Sequence, residues 1–216
     1  IAISSCAKKE EKDSTGEDST VNGFFVATGN NGTILKSSNG INWTSITSGT
    51  SENLRAGTYG GSTYVVVGYS GTILTSTDSN SWTSRSSGTT DNLTNLAYGN
   101  NTFLAIGTSG TILKSTDGIT WNSQTSGTTN SLYGVAYAKN TWIAIGDNGS
   151  ILTSSDGTSW TSRTSGTTKR LLGVIYGNDT FVAVGYGGTI LTSSDGITWT
   201  SRSTGIGNNF GLGIPM

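Results

Sequence analysis

The stretch SSDGITWTSR, at residues 193–202, occurs in five versions along the chain. The other four are SSNGINWTSI at 37–46, STDSNSWTSR at 76–85, STDGITWNSQ at 115–124 and SSDGTSWTSR at 154–163. Their tryptophans follow one another at a spacing of 39 residues, with no insertion: Trp43, Trp82, Trp121, Trp160 and Trp199. A fixed period of this length indicates one structural unit that is built five times.

Each unit contains four short alternating segments. Around the third and fourth repeats the predicted strands are SLYGVAY (131–137), TWIAIG (141–146), SILTSS (150–155) and SWTSRT (159–164). Runs of about six residues with turn residues between them are typical of an antiparallel meander. The Asp-Gly pair before the fourth strand favours a tight hairpin turn in which both central residues take positive φ. A single sheet of this kind cannot bury both faces, so it must stack on its neighbours.

The five units predict an all-β fold, a five-bladed β-propeller of 39-residue, four-stranded blades over residues 21–216. The first repeat begins at its second strand, and Phe210 falls in phase with the residues that open the first strand: Leu54, Leu93, Leu132 and Leu171. We therefore expect a C-terminal strand, Phe210–Ile214, to complete blade one beside Phe25 and to close the ring. The expected core is the aromatic phase with the Ile-Leu pairs: Phe25, Tyr64, Phe103, Trp142 and Phe181, with Ile34-Leu35, Ile73-Leu74, Ile112-Leu113, Ile151-Leu152 and Ile190-Leu191.

The repeated hairpin resembles the Asp-box of bacterial neuraminidase (BNR) repeats, Ser-x-Asp-x-Gly-x-x-Trp, although each box here is one residue shorter. The repeats are also similar to those of photosystem II assembly factor propellers and of bacterial propeller lipoproteins. In the Asp-box family the hairpin is a folding device away from the ligand site. The resemblance thus implies structural roles for the box residues: Asn39, Trp43, Asp78, Trp82, Asp117, Trp121, Asp156, Trp160, Asp195 and Trp199. A box carboxylate can accept backbone N–H bonds in the turn, and the tryptophan can pack between blades.

The composition excludes several kinds of site. The chain has no histidine and a single cysteine, Cys6, so neither a disulfide framework nor a Cys/His metal site can form. Residues 21–216 carry nine basic and eight acidic side chains, a balance that provides no basic surface for nucleic acid. The BNR resemblance raises a sialidase-like glycosidase as an alternative, but such an enzyme needs two facing carboxylates, and the only glutamate of the repeats is Glu52. We expect no catalytic residues, no metal and no cofactor.

The five copies differ mainly in two turns, one between the second and third strands and one that connects each blade to the next. In an up-and-down blade both turns lie at the end opposite the box hairpin, so the variable positions gather around one mouth, and binding residues concentrate on such loops. The alternative is that unconstrained turns simply vary. The candidate ligand contacts are Tyr69 and Tyr186 as stacking platforms, with Asn30, Glu52, Asp91, Asn130, Asp147, Lys169 and Arg170 as polar partners.

These residues predict a non-catalytic binding module, monomeric and lectin-like, that recognises a glycan or a peptide through stacking and hydrogen bonds. The alternative, which the photosystem resemblance implies, is a scaffold or assembly factor for a protein complex. The sialidase-like enzyme is the third class.

The first twenty residues differ from the repeats. ISSC, at residues 3–6, resembles a bacterial lipobox, in which the cysteine thiol takes a lipid group. In this interpretation residues 1–5 are the end of a removed signal segment, and the charged, Ser/Thr-rich stretch at 7–20 is a flexible tether. The resemblance implies a lipoprotein of the bacterial cell envelope, periplasmic or surface-exposed, that is anchored to the membrane through Cys6. The alternative is a single cysteine in a disordered tail.

We predict that Cys6 is the lipidated first residue of the native protein. Mass spectrometry of protein purified from its native membrane should find a diacylglycerol-modified Cys6 and no residues before it. A Cys6→Ser variant is the control and should remain unprocessed. A free thiol on an unprocessed chain would rule out the anchor.

Overall fold

The computed structural model describes residues 5–8, 24–203 and 205. Antiparallel pairing joins twenty strands into five four-stranded sheets, each formed by four consecutive strands. Three single turns of 3-10 helix follow the second strands of the last three sheets, at Thr108–Gly110, Asp147–Gly149 and Tyr186–Gly188. The described residues therefore form an all-β array of five sheets in chain order.

The strands have the following bounds. Sheet one comprises β1 (Ser5–Lys8), β2 (Phe25–Thr28), β3 (Ile34–Ser37) and β4 (Thr44–Ile46). Sheet two comprises β5 (Leu54–Gly60), β6 (Thr63–Gly68), β7 (Ile73–Ser76) and β8 (Thr83–Arg85). Sheet three comprises β9 (Leu93–Gly99), β10 (Thr102–Gly107), β11 (Ile112–Ser115) and β12 (Asn122–Gln124). Sheet four comprises β13 (Leu132–Ala138), β14 (Thr141–Gly146), β15 (Ile151–Ser154) and β16 (Thr161–Arg163), and sheet five β17 (Leu171–Gly177), β18 (Thr180–Gly185), β19 (Ile190–Ser193) and β20 (Thr200–Arg202).

The four-strand unit predicted from the repeat is confirmed. In sheet four the first two strands begin and end within one residue of the predicted bounds. The third and fourth strands are shorter than predicted, because residues 155–160 form a loop between them. The box is therefore longer than a two-residue hairpin turn.

The box loop closes around a carboxylate. In sheet three, Asp117 Oδ1 accepts backbone N–H bonds from Ile119 and Thr120, both at 2.8 Å, and a hydroxyl bond from Ser115 at 2.9 Å. The expectation of positive φ at both residues of the Asp-Gly pair is wrong. Only the glycine takes it, with φ of +73° at Gly118, because the aspartate serves as the acceptor at the loop's start.

The other four boxes repeat this hydrogen bonding. Asp78, Asp156 and Asp195 each accept the N–H groups two and three residues ahead. In sheet one, Asn39 accepts the equivalent two bonds through its amide oxygen. A neutral acceptor thus forms the same loop as a carboxylate.

Successive sheets pack through two unlike faces. Each sheet turns an aliphatic face toward the next sheet and an aromatic face toward the preceding one. Between sheets two and three, Val65 and Val67 pack in one cluster with Phe103, Leu113 and Trp121. The same arrangement recurs at the other three interfaces, with Val26 beside Tyr64, Leu74 and Trp82, Leu104 beside Trp142, Leu152 and Trp160, and Ile143 beside Phe181, Leu191 and Trp199.

The expected core is buried in the inner sheets and partly exposed in the outer two. Tyr64, Phe103 and Trp142 are each 1% exposed. Leu35 in sheet one and Ile190 in sheet five are only partly buried, whereas the equivalent residues of the sheets between them are buried. The two ends of the array therefore differ from its interior.

The strand that completes sheet one is β1. It pairs with β2 from Ser5 opposite Thr28 to Lys8 opposite Phe25, and β3 pairs along the other edge of β2. Both edges of β2 are thus occupied, so the expected pairing of Phe210–Ile214 with the strand near Phe25 is wrong. Residues 206–216 lie outside the described part of the chain.

Cys6 lies within β1, where its backbone is opposite Ala27. The remainder of the predicted tether, residues 9–20, lies outside the described residues. Among the residues that the structure describes, no helix is long and apolar enough to cross a membrane. The lipid anchor remains a prediction from the sequence.

We predict that the boxes make the fold sensitive to acid. Backbone N–H groups lower the pKa of Asp78, Asp117, Asp156 and Asp195 to about 2. A carboxyl whose pKa is lower in the folded chain stabilises the fold above its unfolded pKa of about 3.9. That stabilisation is lost as the pH falls from about 4 toward 2, so the melting temperature should fall in this interval.

Replacing the four aspartates with asparagine tests this origin, because Asn39 forms the same loop with a neutral side chain. The fourfold variant should fold at pH 7 and show a flatter dependence of melting temperature on pH between about 4 and 2. Asp179→Asn, outside the boxes, is the matched control and should keep the wild-type slope. An unchanged slope in the fourfold variant would contradict the prediction.

Candidate binding face

The turns between second and third strands and the sheet-to-sheet connections lie side by side at one end of the array, here called the connection end. The N–H of Tyr69 donates to the carbonyl of Asn53 at 2.9 Å, within the same repeat. The N–H of Gly32, in the turn of sheet one, donates to the carbonyl of Glu52 at 2.8 Å. The connection between two sheets thus contacts the turns of both sheets that it joins. The box loops lie at the opposite end.

Four side chains of sheets four and five meet at the connection end, and we call them the arginine–tyrosine cluster: Tyr133, Asp147, Arg170 and Tyr186. The Nε of Arg170 lies 2.5 Å from Asp147 Oδ1, and the Tyr133 hydroxyl donates to Asp147 Oδ2 at 3.0 Å. The guanidinium carbon of Arg170 lies 4.9 Å from the centre of the Tyr133 ring and 5.3 Å from that of Tyr186. One planar cation is therefore held by a carboxylate and two aromatic rings.

The electrostatics of the cluster follow from these contacts. The hydrogen bond to Asp147 raises the pKa of Arg170 above its usual value. Burial and then the hydrogen bond to Asp147 raise the pKa of Tyr133. Both groups thus keep their protons at neutral pH. The side chain of Arg170 is 39% exposed and Tyr186 is also 39% exposed, so a ligand can reach both.

A second arginine–tyrosine pair lies in sheet two. The guanidinium carbon of Arg55 lies 5.5 Å from the centre of the Tyr69 ring, a cation–π distance. Both side chains are partly buried. The two predicted stacking platforms, Tyr69 and Tyr186, therefore each have an arginine over the ring.

The side chains of Asp91 and Asn130 form hydrogen bonds with residues of the adjacent connection and turn. The Asp91 carboxylate accepts hydroxyl bonds from Thr111 at 2.7 Å, Ser109 at 3.1 Å and Thr89 at 3.2 Å, with the Thr111 bond first among the causes that lower its pKa. The Asn130 amide donates to Ser150 at 2.8 Å and accepts from Asn148 at 3.0 Å. These contacts give both residues a role in linking a connection to a turn.

The remaining candidates lie at the same end but apart from the cluster or at its margin. Asn30 is exposed in the turn of sheet one, and its carbonyl accepts the Thr33 hydroxyl at 2.7 Å. Glu52 is partly buried in the first connection. Lys169 is exposed next to Arg170. Of the nine predicted residues, the structure brings three into direct contact: Asp147, Arg170 and Tyr186.

Tyr133 and Arg55 are not among the predicted contacts, because both lie in the first strand of a sheet and not in the variable turns. A signal was present in the repeats. In sheets two to five the second residue of the first strand is different in each sheet: Arg55, Thr94, Tyr133 and Leu172. These strands begin at the connection end, so a position that varies there is a candidate ligand contact in the same way as a variable turn residue.

The other grooves of the described chain have few charged or aromatic side chains. Two open grooves of about 800 Å³ and about 790 Å³ lie beside the outer strands of sheets two and four, lined chiefly by Ser, Thr and Gly with Arg85 or Arg163. Both arginines donate through Nε to a threonine of the adjacent strand, at 2.9 and 2.8 Å. Among the described residues, no three His, Cys, Asp or Glu side chains gather as metal ligands would.

The sequence matches no protein-family model and no curated protein. Among solved structures, YCF48 from Cyanidioschyzon merolae superposes with a TM-score of 0.67 at 17% identity, over 96% of this chain and 75% of that chain. YCF48 bound to D1 peptide gives a TM-score of 0.64 at 19% identity, over 82% of this chain and 62% of the other, less than two thirds of it. The WD40 β-propeller domain of Doa1 gives 0.66 at 12% identity, over 95% and 69%.

The chain has a β-propeller fold. Its five four-stranded antiparallel sheets superpose on the blades of these longer propeller chains. At identities below 20% the likeness shows the fold alone, so the site must be interpreted from its own residues.

We predict that Asp147 stabilises the fold through the cluster. Asp147→Ala should lower the free energy of unfolding by about 1 kcal/mol, because Arg170 and Tyr133 lose a charged hydrogen-bond acceptor in a partly exposed site. The control is Asp179→Asn, because the Asp179 carboxylate is 90% exposed and 3.8 Å from Lys139, and asparagine tolerates its φ of +56° and can still accept the Tyr176 hydroxyl bond. The control should change the free energy by less than about 0.5 kcal/mol. Equal effects in chemical denaturation would show that the cluster adds no stability.

Proposed function

We propose that this chain is a non-catalytic binding protein whose connection end holds a peptide segment of a partner protein, as a scaffold or assembly factor does. The observation that carries the proposal is the arrangement of Arg170 between Tyr133 and Tyr186, with Asp147 fixing the guanidinium. A fixed guanidinium flanked by phenols is suited to the carbonyls, carboxylates and planar side chains of an extended peptide. Because its position is set before binding, little side-chain entropy is lost in the complex.

A peptide fits this surface better than a glycan does. Sugar recognition by stacking needs an accessible aromatic face, and an arginine occupies one face of each of the two predicted platforms, Tyr69 and Tyr186. Arginine and tyrosine are also the side chains that most often dominate the energy of protein–protein contacts. These contacts favour the scaffold alternative over the lectin-like module.

The comparison with solved structures supports the same choice. One of the similar propellers is YCF48, whose structure is known bound to D1 peptide. A peptide ligand on one propeller does not assign a ligand to another at this identity. It does show that a propeller of this shape can hold a peptide.

The predicted anchor at Cys6 extends the proposal. A lipid on β1 would hold the array at the surface of a bacterial membrane, where the partner would be a protein of the cell envelope. One lipid chain gives only weak membrane binding, whereas the two chains of a diacylglycerol group give a stable anchor.

We predict that the chain binds linear peptides through the arginine–tyrosine cluster. The probes are a displayed library of linear peptides, the D1 peptide of the YCF48 structure and a glycan array. A peptide selected from the library should lose about tenfold or more in affinity with Arg170→Ala, because this residue lies at the centre of the contact. The change in Kd is measured by calorimetry.

Arg85→Ala is the matched control, since it removes the same charge from the outer strand of sheet two, whereas the cluster belongs to sheets four and five. It should leave the Kd within about twofold, as expected of a charge outside the contact. Glycan binding that survives Tyr69→Ala with Tyr186→Ala, together with no selected peptide, would contradict the proposal. Equal losses for both arginine variants would reduce it to non-specific charge attraction.

A further inference from the structure

The box of sheet one differs from the other four in its acceptor. Asn39 stands where they have an aspartate, and Gly40 follows it. In an Asn-Gly pair the main-chain nitrogen of the glycine can attack the side-chain carbonyl carbon of the asparagine, because the attack is intramolecular and glycine has no Cβ in its way. Loss of ammonia and addition of water then give an aspartate. The product of this chemistry is therefore the residue that the other boxes already have.

Ser37 connects the attacking nitrogen to the carbonyl group that it attacks. The N–H of Gly40 donates to Ser37 Oγ at 2.8 Å, and the Ser37 hydroxyl donates to Asn39 Oδ1 at 3.2 Å. Ser37 is 2% exposed, so the loop holds this hydroxyl in place and shields it from bulk water. The hydroxyl can thus take a proton from the nucleophile and give its own proton to the oxygen on which charge develops.

The loop also polarises the Asn39 carbonyl. Its Oδ1 accepts the N–H groups of Ile41 at 2.9 Å and Asn42 at 3.0 Å. Attack on Cγ moves an electron pair onto Oδ1, and donors that already point at this oxygen stabilise the charge. The same two N–H groups polarise the Cγ carbonyl of the cyclic imide, so they direct water to Cγ and favour the aspartate product. Asn39 is exposed to that water, as are the equivalent aspartates of the inner sheets.

Two other Asn-Gly pairs serve as internal comparisons, because their hydrogen bonds are different. Asn31–Gly32 and Asn148–Gly149 lie in turns at the connection end. The N–H of Gly32 donates to the main-chain carbonyl of Glu52 at 2.8 Å, and a carbonyl has no proton to pass on. The side-chain amide of Asn148, which is the leaving group of the reaction, donates to Asn130 Oδ1 at 3.0 Å. These bonds tie the reacting groups of both pairs to a connection.

The folded chain favours an aspartate at position 39. In the other four boxes the same two N–H groups lower the pKa of the aspartate to about 2. A carboxylate with a lowered pKa stabilises the fold at any pH above its unfolded pKa of about 3.9. At neutral pH the conversion of the amide to a carboxylate therefore adds to the stability of this box.

We propose that the box of sheet one converts Asn39 to aspartate by itself, with Ser37 as the proton relay. The Gly40 nitrogen bonds to Asn39 Cγ, its proton passes to Ser37 Oγ, and the Ser37 hydroxyl proton passes to Oδ1. The Cγ–Nδ2 bond breaks, ammonia leaves with the proton from Oδ1, and a cyclic imide remains. Water then adds to Cγ, the bond from Cγ to the Gly40 nitrogen breaks, and that nitrogen regains a proton. The reaction consumes water and releases ammonia, and it does not depend on the proposed peptide site.

Ageing of the full chain at mildly alkaline pH tests the proposal by peptide mapping. In the folded chain Asn39 should lose its amide about tenfold faster than Asn31 and Asn148, and about tenfold faster than it does in urea, because only the folded box aligns the donors and the relay. Fragment masses of the tryptic peptide 37–55 locate the change, and aspartate should exceed isoaspartate. An Asn39 that keeps its amide in the folded chain, or converts no faster there than in urea, would overturn the proposal.

Ser37→Ala separates the relay from the effect of the Asn-Gly sequence. The variant keeps Asn39 and Gly40, and its Asn39 should convert about tenfold more slowly than in the wild type. Ser76→Ala is the matched control, because it removes the equivalent hydroxyl from the box of sheet two. It should leave the Asn39 rate within about twofold, as expected of a distant site. Thermal melting of both variants checks that they fold, and an unchanged rate in Ser37→Ala would exclude the relay.

The box of sheet three provides a test that leaves sheet one intact. The N–H of Gly118 donates to Ser115 Oγ at 2.8 Å, and the Ser115 hydroxyl donates to Asp117 Oδ1 at 2.9 Å. Asp117→Asn therefore creates the same pair and the same relay, and it should revert to aspartate on ageing. The fourfold asparagine variant must for this reason be measured when freshly prepared. Asp78→Asn is the matched control and should keep its amide, because Ser79 follows it and its Cβ obstructs the attack. Reversion of both variants, or of neither, would overturn the role of the box.

Discussion

The packing of an aromatic face on an aliphatic face is the interaction on which this structure depends. No sheet could be stable alone, because a four-stranded sheet of this size has two apolar faces and no second layer of its own. Each interface covers one of them, with Val65 against Phe103 and Trp121 as the pattern that all four share. Burial of a large aliphatic or aromatic side chain contributes about 1.5–3 kcal/mol. The chain has few apolar residues, but they are concentrated at the four interfaces, where each of them contributes to stability.

The boxes supply the polar counterpart of that packing. A loop of six residues next to a buried tryptophan would leave backbone N–H groups without partners, and the box side chain accepts two of them. The Trp121 Nε1 donates in turn to the carbonyl of Gly118 at 2.9 Å. The two bonds to the box side chain are made within each hairpin and recur at every sheet, whereas the indole bond does not recur in sheets two and four, since Trp82 Nε1 and Trp160 Nε1 are buried without a hydrogen-bond partner among the described residues. Because the two bonds stay within one hairpin, the five boxes tolerate Asn39 and Ser79 within one fold.

The sequence alone predicts what depends on periodicity, whereas the closure of the ring depends on curvature and stays a prediction. The strand count, the four-strand unit and the core phase follow from the 39-residue spacing. Closure does not, because the number of sheets in a ring is set by the angle at each interface, and that angle depends on side-chain shape in three dimensions. The pairing of β1 with β2 was missed for a related reason: Ser5–Lys8 lies outside the repeat and has no phase to compare. Arg55 and Tyr133 are not among the predicted contacts because they lie in strands, whereas the prediction depends on variation in the turns.

The candidate site arises where a structural link was replaced by a charged one. At the second connection position, Asn53 and Asn92 accept the N–H of the preceding turn, from Asn31 and Ser70, both at 3.0 Å. Arg170 occupies the same position and also reaches the preceding turn, but it binds a side chain, Asp147. The amide oxygens of Asn53 and Asn92 are thus used in hydrogen bonds within the fold. A guanidinium has five N–H donors, so one that is tied to a carboxylate through Nε still presents a charged, directional edge. The substitution therefore keeps the bridge between sheets and adds a surface that can recognise a partner.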